Sequence, residues 1–97
     1  MTNITYNCQN DEMTISIEGI FNYELAMEFS LAYKSESVGT YIIDLATTQH
    51  LDSTALGILI NMKKTIDAKA IIKVINASKE IKRLLNISRL DTYVKII

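Results

Sequence analysis

The sequence predicts an α/β fold: a mixed, mostly parallel sheet of about five strands with three main helices, in the order ββαβαβαβ. Three observations carry that prediction. Near the N-terminus apolar and polar residues alternate with a period of two, as in half-buried strands. Further on, two short apolar runs, Tyr41-Ile42-Ile43-Asp44-Leu45 and Ile71-Ile72-Lys73-Val74-Ile75, are separated by amphipathic stretches of helical length. Strand–helix–strand units of that kind close by right-handed crossovers, which make the joined strands parallel. The 97 residues suit one domain spanning positions 1–97.

Taken in order, Ile4, Tyr6 and Cys8 alternate with Thr5 and Asn7, and Met13, Ile15 and Ile17 alternate with Thr14, Ser16 and Glu18. These are two strands, joined by a hairpin turn at the polar Gln9-Asn10-Asp11-Glu12. Gly19 closes the second strand. Asn22 is a helix N-cap, because its side-chain oxygen accepts an otherwise orphan backbone N–H. Leu25, Phe29 and Ala32 then follow at helical spacing, and the first helix ends before Gly39.

The run 41–45 reads as a strand covered on both faces. A polar loop, Thr47-Thr48-Gln49-His50, leads to a second helix capped within Asp52-Ser53-Thr54. In that helix Ala55, Leu59, Met62 and Ile66 form the inner stripe, widened by Leu56 and Ile60. The run 71–75 is another strand. Ser78 caps a third helix, with Ile81, Leu84 and Leu85 inward and Lys79, Lys82, Arg83 and Arg89 in water. Tyr93-Val94-Lys95-Ile96 makes a last short strand. Leu59, Ile60, Leu84 and Leu85 are expected in the core.

Composition narrows the function. Hydrophobic residues make up 48% and charged residues 22%, which is a globular balance. A net charge of −1 argues against a dedicated nucleic-acid binder. The charge is split, however. Positions 1–50 hold seven acids and one base, Lys34, while positions 51–97 hold nine bases and four acids. Such a dipole can orient an encounter with a charged protein. The single cysteine, Cys8, forms no internal disulfide and points to a reducing compartment. Residues 1–10 lack the basic start and apolar run of a secretory signal, and no stretch is apolar enough to span a membrane. Together these predict a cytoplasmic protein with no membrane insertion.

Enzyme signatures are missing. There is no GxGxxG, GxxxxGK[ST] or GxSxG, so phosphate loops and nucleophile elbows lack their glycines. Cys8 and His50 fall short of a tetrahedral metal set. His50, Asp52 and Ser53 are close in sequence, but a triad is defined by geometry and not by sequence position. A lone loop histidine reads as a solvated group. The sequence therefore predicts a non-catalytic binding module with no catalytic residue, cofactor or metal of its own.

One cluster stands out. Asp52-Ser53-Thr54 are all preferred caps, and a helix starts there. Its unpaired N–H groups carry partial positive charge and tolerate an anion. A hydroxyl at this place can carry phosphate without disturbing its own fold, so that the new charge acts on whatever docks there.

The strand Tyr41-Ile42-Ile43-Asp44-Leu45, the following loop and Leu51-Asp52-Ser53-Thr54-Ala55-Leu56-Gly57 resemble the STAS domain of bacterial anti-sigma-factor antagonists. The resemblance runs over residues 13–96, with Gly19 after the second strand and Asn86-Ile87-Ser88-Arg89-Leu90 closing the third helix. It implies a phosphorylation site at the second hydroxyl after the aspartate, Thr54, with Ser53 as second choice. It implies a docking surface formed by Asn22, Asp52, Ser53, Thr54, Ala55 and Leu56. It also implies the partners: an anti-sigma factor with a histidine-kinase-like ATPase domain, which would bring ATP and a divalent metal, and a PP2C-type phosphatase. Two positions depart from the family pattern. Ala55 stands where glycine is usual, placing a methyl near a partner, and Asn22 stands where aspartate is frequent. The same resemblance admits an accessory STAS subunit of an ABC-type lipid-transport complex, or a stressosome-like scaffold module.

Overall fold

The computed structural model describes residues 3–97. β1 (Ile4–Gln9) and β2 (Glu12–Ile17) form an antiparallel hairpin with Gln9 opposite Glu12. Asn10 and Asp11 make the two-residue turn, both with positive φ (55° and 62°). That geometry is the one whose twist matches the flanking strands, and Asn and Asp tolerate it best among residues with a Cβ. Asp11 then ties the hairpin to the rest of the sheet. Its Oδ1 accepts from the Gly39 N–H at 3.1 Å and its carbonyl from Thr40 at 3.3 Å.

After β3 (Gly19–Phe21) comes a 3₁₀ turn, Tyr23–Leu25, that runs into α1 (Ala26–Lys34). β4 (Thr40–Asp44), β5 (Thr48–Leu51) and α2 (Ser53–Thr65) follow, then β6 (Ile71–Ile75), α3 (Lys79–Ile87), a 3₁₀ turn at Leu90–Thr92 and β7 (Lys95–Ile96). The main sheet has five strands in the order β1-β2-β4-β6-β7, parallel except for the first pair. The expected α/β fold with three helices and a mostly parallel five-stranded sheet is the observed one.

Register places the buried residues of the sheet on one face. Ile15, Ile43 and Val74 align across β2, β4 and β6, and Met13, Tyr41 and Ile72 form a second row. Phe29, Ala55, Leu59, Met62, Ile81 and Leu85 from the three helices belong to the same cluster. Phe29 stacks obliquely between Phe21 (5.4 Å) and edge-on Tyr33 (5.6 Å), an arrangement that suits the ring quadrupoles.

Several expectations need correction. β4 is not covered on both faces: Tyr41 and Ile43 are buried, whereas Ile42 and Asp44 are only half-buried, because the helices that join the core pack on one side. Ile60 and Leu84 sit at the margins of their stripes and are half-buried, while Leu59 and Leu85 are fully buried. The last strand is shorter than 93–96, since the chain leaves α3 through Arg89 in the left-handed region (φ 61°) and a 3₁₀ turn. Gly19 opens a strand of its own, and the supposed loop 47–50 contributes most of β5.

Candidate functional site

The strands absent from the sequence reading build the site. β3 and β5 form a separate parallel ribbon with Gly19 opposite Thr48, Ile20 opposite His50 and Phe21 opposite Leu51. Each continues a central strand, β3 after β2 and β5 after β4. Gly19 makes the departure possible. Its φ is +85°, a conformation that side chains with a Cβ rarely adopt, and its N–H bonds the Thr47 carbonyl at 2.9 Å. The Thr47 and Thr48 hydroxyls both donate to the Ile17 carbonyl, at 3.2 and 2.6 Å, where the ladder of the main sheet ends.

The ribbon stops on both sides at a capping residue. Asn22 follows Phe21, Asp52 follows Leu51, and the Asp52 N–H reaches the Phe21 carbonyl at 3.4 Å. Two residues thirty positions apart thus meet at the carboxyl ends of adjacent parallel strands, where open α/β sheets place their ligands. Asn22 Oδ1 accepts from the Glu24 N–H at 2.9 Å and starts the turn into α1. Asp52 Oδ1 accepts from the N–H groups of Thr54 (2.9 Å) and Ala55 (3.3 Å) and starts α2. It also accepts the Thr54 hydroxyl proton, at 2.5 Å. The Thr54 hydroxyl, followed by the backbone N–H groups, holds the Asp52 carboxyl below its ordinary value of 3.8.

Asp52, Ser53 and Thr54 are exposed, with Asn22 and Leu56 half-exposed beside them. The structure brings these five of the six expected docking residues onto one surface. Ala55 is not on it. Its methyl is fully buried in the core and contributes no crowding toward a partner. The Asp52 carboxylate already caps the N-terminus of α2, beside the Thr54 hydroxyl. His50 is an exposed residue of β5 beside Ile20, and the Asp52 carboxylate is engaged with Thr54 rather than with an imidazole. Among the described residues no group of three His, Cys, Asp or Glu side chains is placed to hold a metal ion.

The sequence reading missed Ile20 and Tyr23, which are exposed next to Asn22. A signal for the ribbon exists all the same. Phe21-Asn22 and Leu51-Asp52 repeat one pattern, an apolar residue followed by a cap, as where a buried strand end feeds a helix.

The model of the STAS domain matches residues 5–97. This chain belongs to the STAS domain family. A STAS-domain containing protein of Pseudomonas aeruginosa is 31% identical over 93 residues, covering 93% of this chain and 92% of the relative. Among solved structures, an anti-sigma factor antagonist from Mycobacterium paratuberculosis superposes with a TM-score of 0.83 at 18% identity, over 96% of this chain and 82% of that one. The anti-sigma factor antagonist SpoIIAA in its unphosphorylated form gives 0.71 at 11% identity, over 97% and 86%. The Bacillus cell fate determinant SpoIIAA in the phosphorylated form gives 0.63 at 16%, over 97% and 90%. At these identities the structures establish the STAS fold. No helix among the described residues is long and apolar enough to cross a membrane.

Proposed function

We propose that this STAS domain is a cytoplasmic anti-sigma-factor antagonist whose binding is switched at Thr54. With Thr54 unmodified, the domain binds an anti-sigma factor bearing a histidine-kinase-like ATPase domain and so frees a sigma factor for transcription. That partner transfers the terminal phosphoryl group of its ATP to Thr54 Oγ1, the hydroxyl proton leaves, and binding ends. A PP2C-type phosphatase restores the hydroxyl. ATP and its divalent metal belong to the partner, and this chain contributes the acceptor and the docking surface.

The observation that carries this reading is the exposed Thr54 hydroxyl, held by Asp52 on the first turn of α2 and flanked by Asn22 and Leu56. Asp52 fixes where Oγ1 stands, which positions the acceptor for in-line attack. A phosphate adds about −1.5 to −2 charges at pH 7. It removes the proton that Oγ1 shares with Asp52 and sets two anions side by side. The added charge must then be desolvated against a partner with no matching cation, which weakens binding. That SpoIIAA, with the same fold, is known in unphosphorylated and phosphorylated forms supports the reading.

The test is binding to the kinase-like partner by the wild type and three variants. Thr54→Ala should bind and resist phosphorylation. Thr54→Asp should remain folded yet bind at least about tenfold more weakly, a loss of about 1.4 kcal/mol. Ser53→Ala should still accept phosphate at Thr54. A folded Thr54→Asp protein with wild-type affinity refutes the switch, and a phosphate mapped to Ser53 moves the acceptor by one residue.

A further inference from the structure

α3 and α1 treat solvent differently. α3 buries Ile81 and Leu85 and exposes Lys79, Lys82 and Arg83, with a single large apolar residue, Ile87, exposed at its last position, close to what a helix between core and water shows. α1 with its 3₁₀ lead-in buries Leu25, Phe29, Ala32 and Tyr33, yet also exposes Tyr23, Met27 and Leu31, at 66%, 77% and 67%. Met27 and Leu31, four apart, lie along one ridge of α1, and Tyr23 stands ahead of them in the 3₁₀ turn that leads into it. At about 100° per residue, Met27 points nearly opposite Phe29. A helix that is apolar on both sides is characteristically covered on both.

The ends of the ridge indicate what covers it. Glu24 lies at its start, and the exposed Lys34, the only base in positions 1–50, lies at its end. Read by an identical helix running the other way, the pattern complements itself. Met27 meets Leu31 of the second copy, Leu31 meets its Met27, and each Glu24 meets the opposing Lys34. The Lys34 stem also covers the opposing Tyr23 ring with its ammonium near the π face. We propose that α1 is a two-fold homodimer interface, each copy laying the Tyr23-Met27-Leu31 ridge antiparallel on the other. Such an isologous contact closes at two chains. One helix per subunit buries less than the roughly 800 Å² per partner of a standard interface, so the dimer is weak and concentration-dependent. The proposal does not depend on phosphorylation of Thr54.

Sedimentation of the purified chain from about 10 μM to about 1 mM, the range of a weak dimer, should show a monomer–dimer equilibrium. Met27→Ser and Leu31→Ser should each weaken it at least about tenfold, with thermal melts recorded at low concentration unchanged because both side chains lie outside the core. Lys34→Glu and Glu24→Lys should each weaken it, and the two together should restore it. A single 11.0 kDa species throughout the range would overturn the proposal and assign the ridge to a different protein. So would a dimer indifferent to Met27→Ser and Leu31→Ser, or a double charge exchange that fails to recover association.

Discussion

Replacing Leu59 by alanine tests how α2 is seated on the sheet, and with it the placement of the Asp52-Ser53-Thr54 turn. Leu59 lies one turn beyond Ala55 and is fully buried in the common core. Truncation removes three carbons, worth about 2.4 kcal/mol at ~0.8 kcal/mol per buried CH₂. The cavity adds about 24 cal/mol per Å³ that fails to collapse, so measured Leu→Ala losses span roughly 2.7–5.0 kcal/mol. Leu59 shares its core cluster with the rows Tyr41/Ile72 and Ile43/Val74 of a hydrogen-bonded parallel sheet, and such a sheet does not easily sink into a gap. A loss of about 3–5 kcal/mol is therefore expected. For a domain of this size that lowers Tm by more than about 12 °C. Ile60→Ala, from the half-buried margin of the same helix, should cost less than half as much. Urea melts at pH 7 decide the matter, provided the m-values of the variants agree. A Leu59→Ala loss below about 1 kcal/mol, or one no larger than that of Ile60→Ala, would mean that α2 is rotated from the position described.

Gly19→Ala should cost about 1–2 kcal/mol in the same melts, from positive φ alone, because a Cβ there meets no heavy atom nearer than Asn3 Nδ2 at 3.6 Å. A loss under about 0.5 kcal/mol would show that the chain can enter β3 by another route. The depressed carboxyl of Asp52 stabilises the fold above its ordinary value of 3.8, and that contribution disappears as pH falls through the lower, folded value. Asp52→Asn should therefore flatten the acid limb of a stability–pH profile while leaving its slope above pH 6 unchanged; an unaltered acid limb would disprove the assignment. Cys8 is pushed up from 9.0 to about 11, first by its hydrogen bond to Glu36, then by burial and by the Glu36 charge. At pH 8 it should react with a disulfide reagent at least about tenfold more slowly than free cysteine, and Glu36→Gln should speed it up. Reaction at the rate of the free thiol would contradict the contact.

Most of the frame is legible in the sequence because local chemistry and tertiary demand agree there. The alternation of Met13, Ile15 and Ile17 gives β2, and the run 71–75 gives β6 to the residue. Asn22, Asp52 and Ser78 all cap where their side chains predict. Illegible parts depend on partners distant in sequence. β5 breaks the period-two pattern: Thr48 and Leu51 are buried with two exposed residues between them, because the register with β3 slips after Gly19. Thr48 also looks polar, yet its hydroxyl satisfies the last carbonyl of β2, so it is buried. Tyr93 belongs to no strand, since the left-handed Arg89 turns the chain before it. The capping turn at the start of α2 is readable from Asp52-Ser53-Thr54 alone. The position of Asn22 beside it is not, because the ribbon that joins them is invisible without the fold.

That ribbon also sets how the surface around Asn22 and Asp52 can deform. A strand inside the main sheet is held by two ladders, whereas β3 and β5 hold only each other, rooted through Gly19 and the two threonine hydroxyls at the end of β2. Segments with fewer ladder bonds open at lower free energy than the global transition. Amide protons of Ile20 and Phe21 should thus exchange with deuterium before those of Ile15 or Ile43. The edge that carries Asn22 and Asp52 can then change shape while the five-stranded sheet stays protected, so that a movement there leaves the core folded.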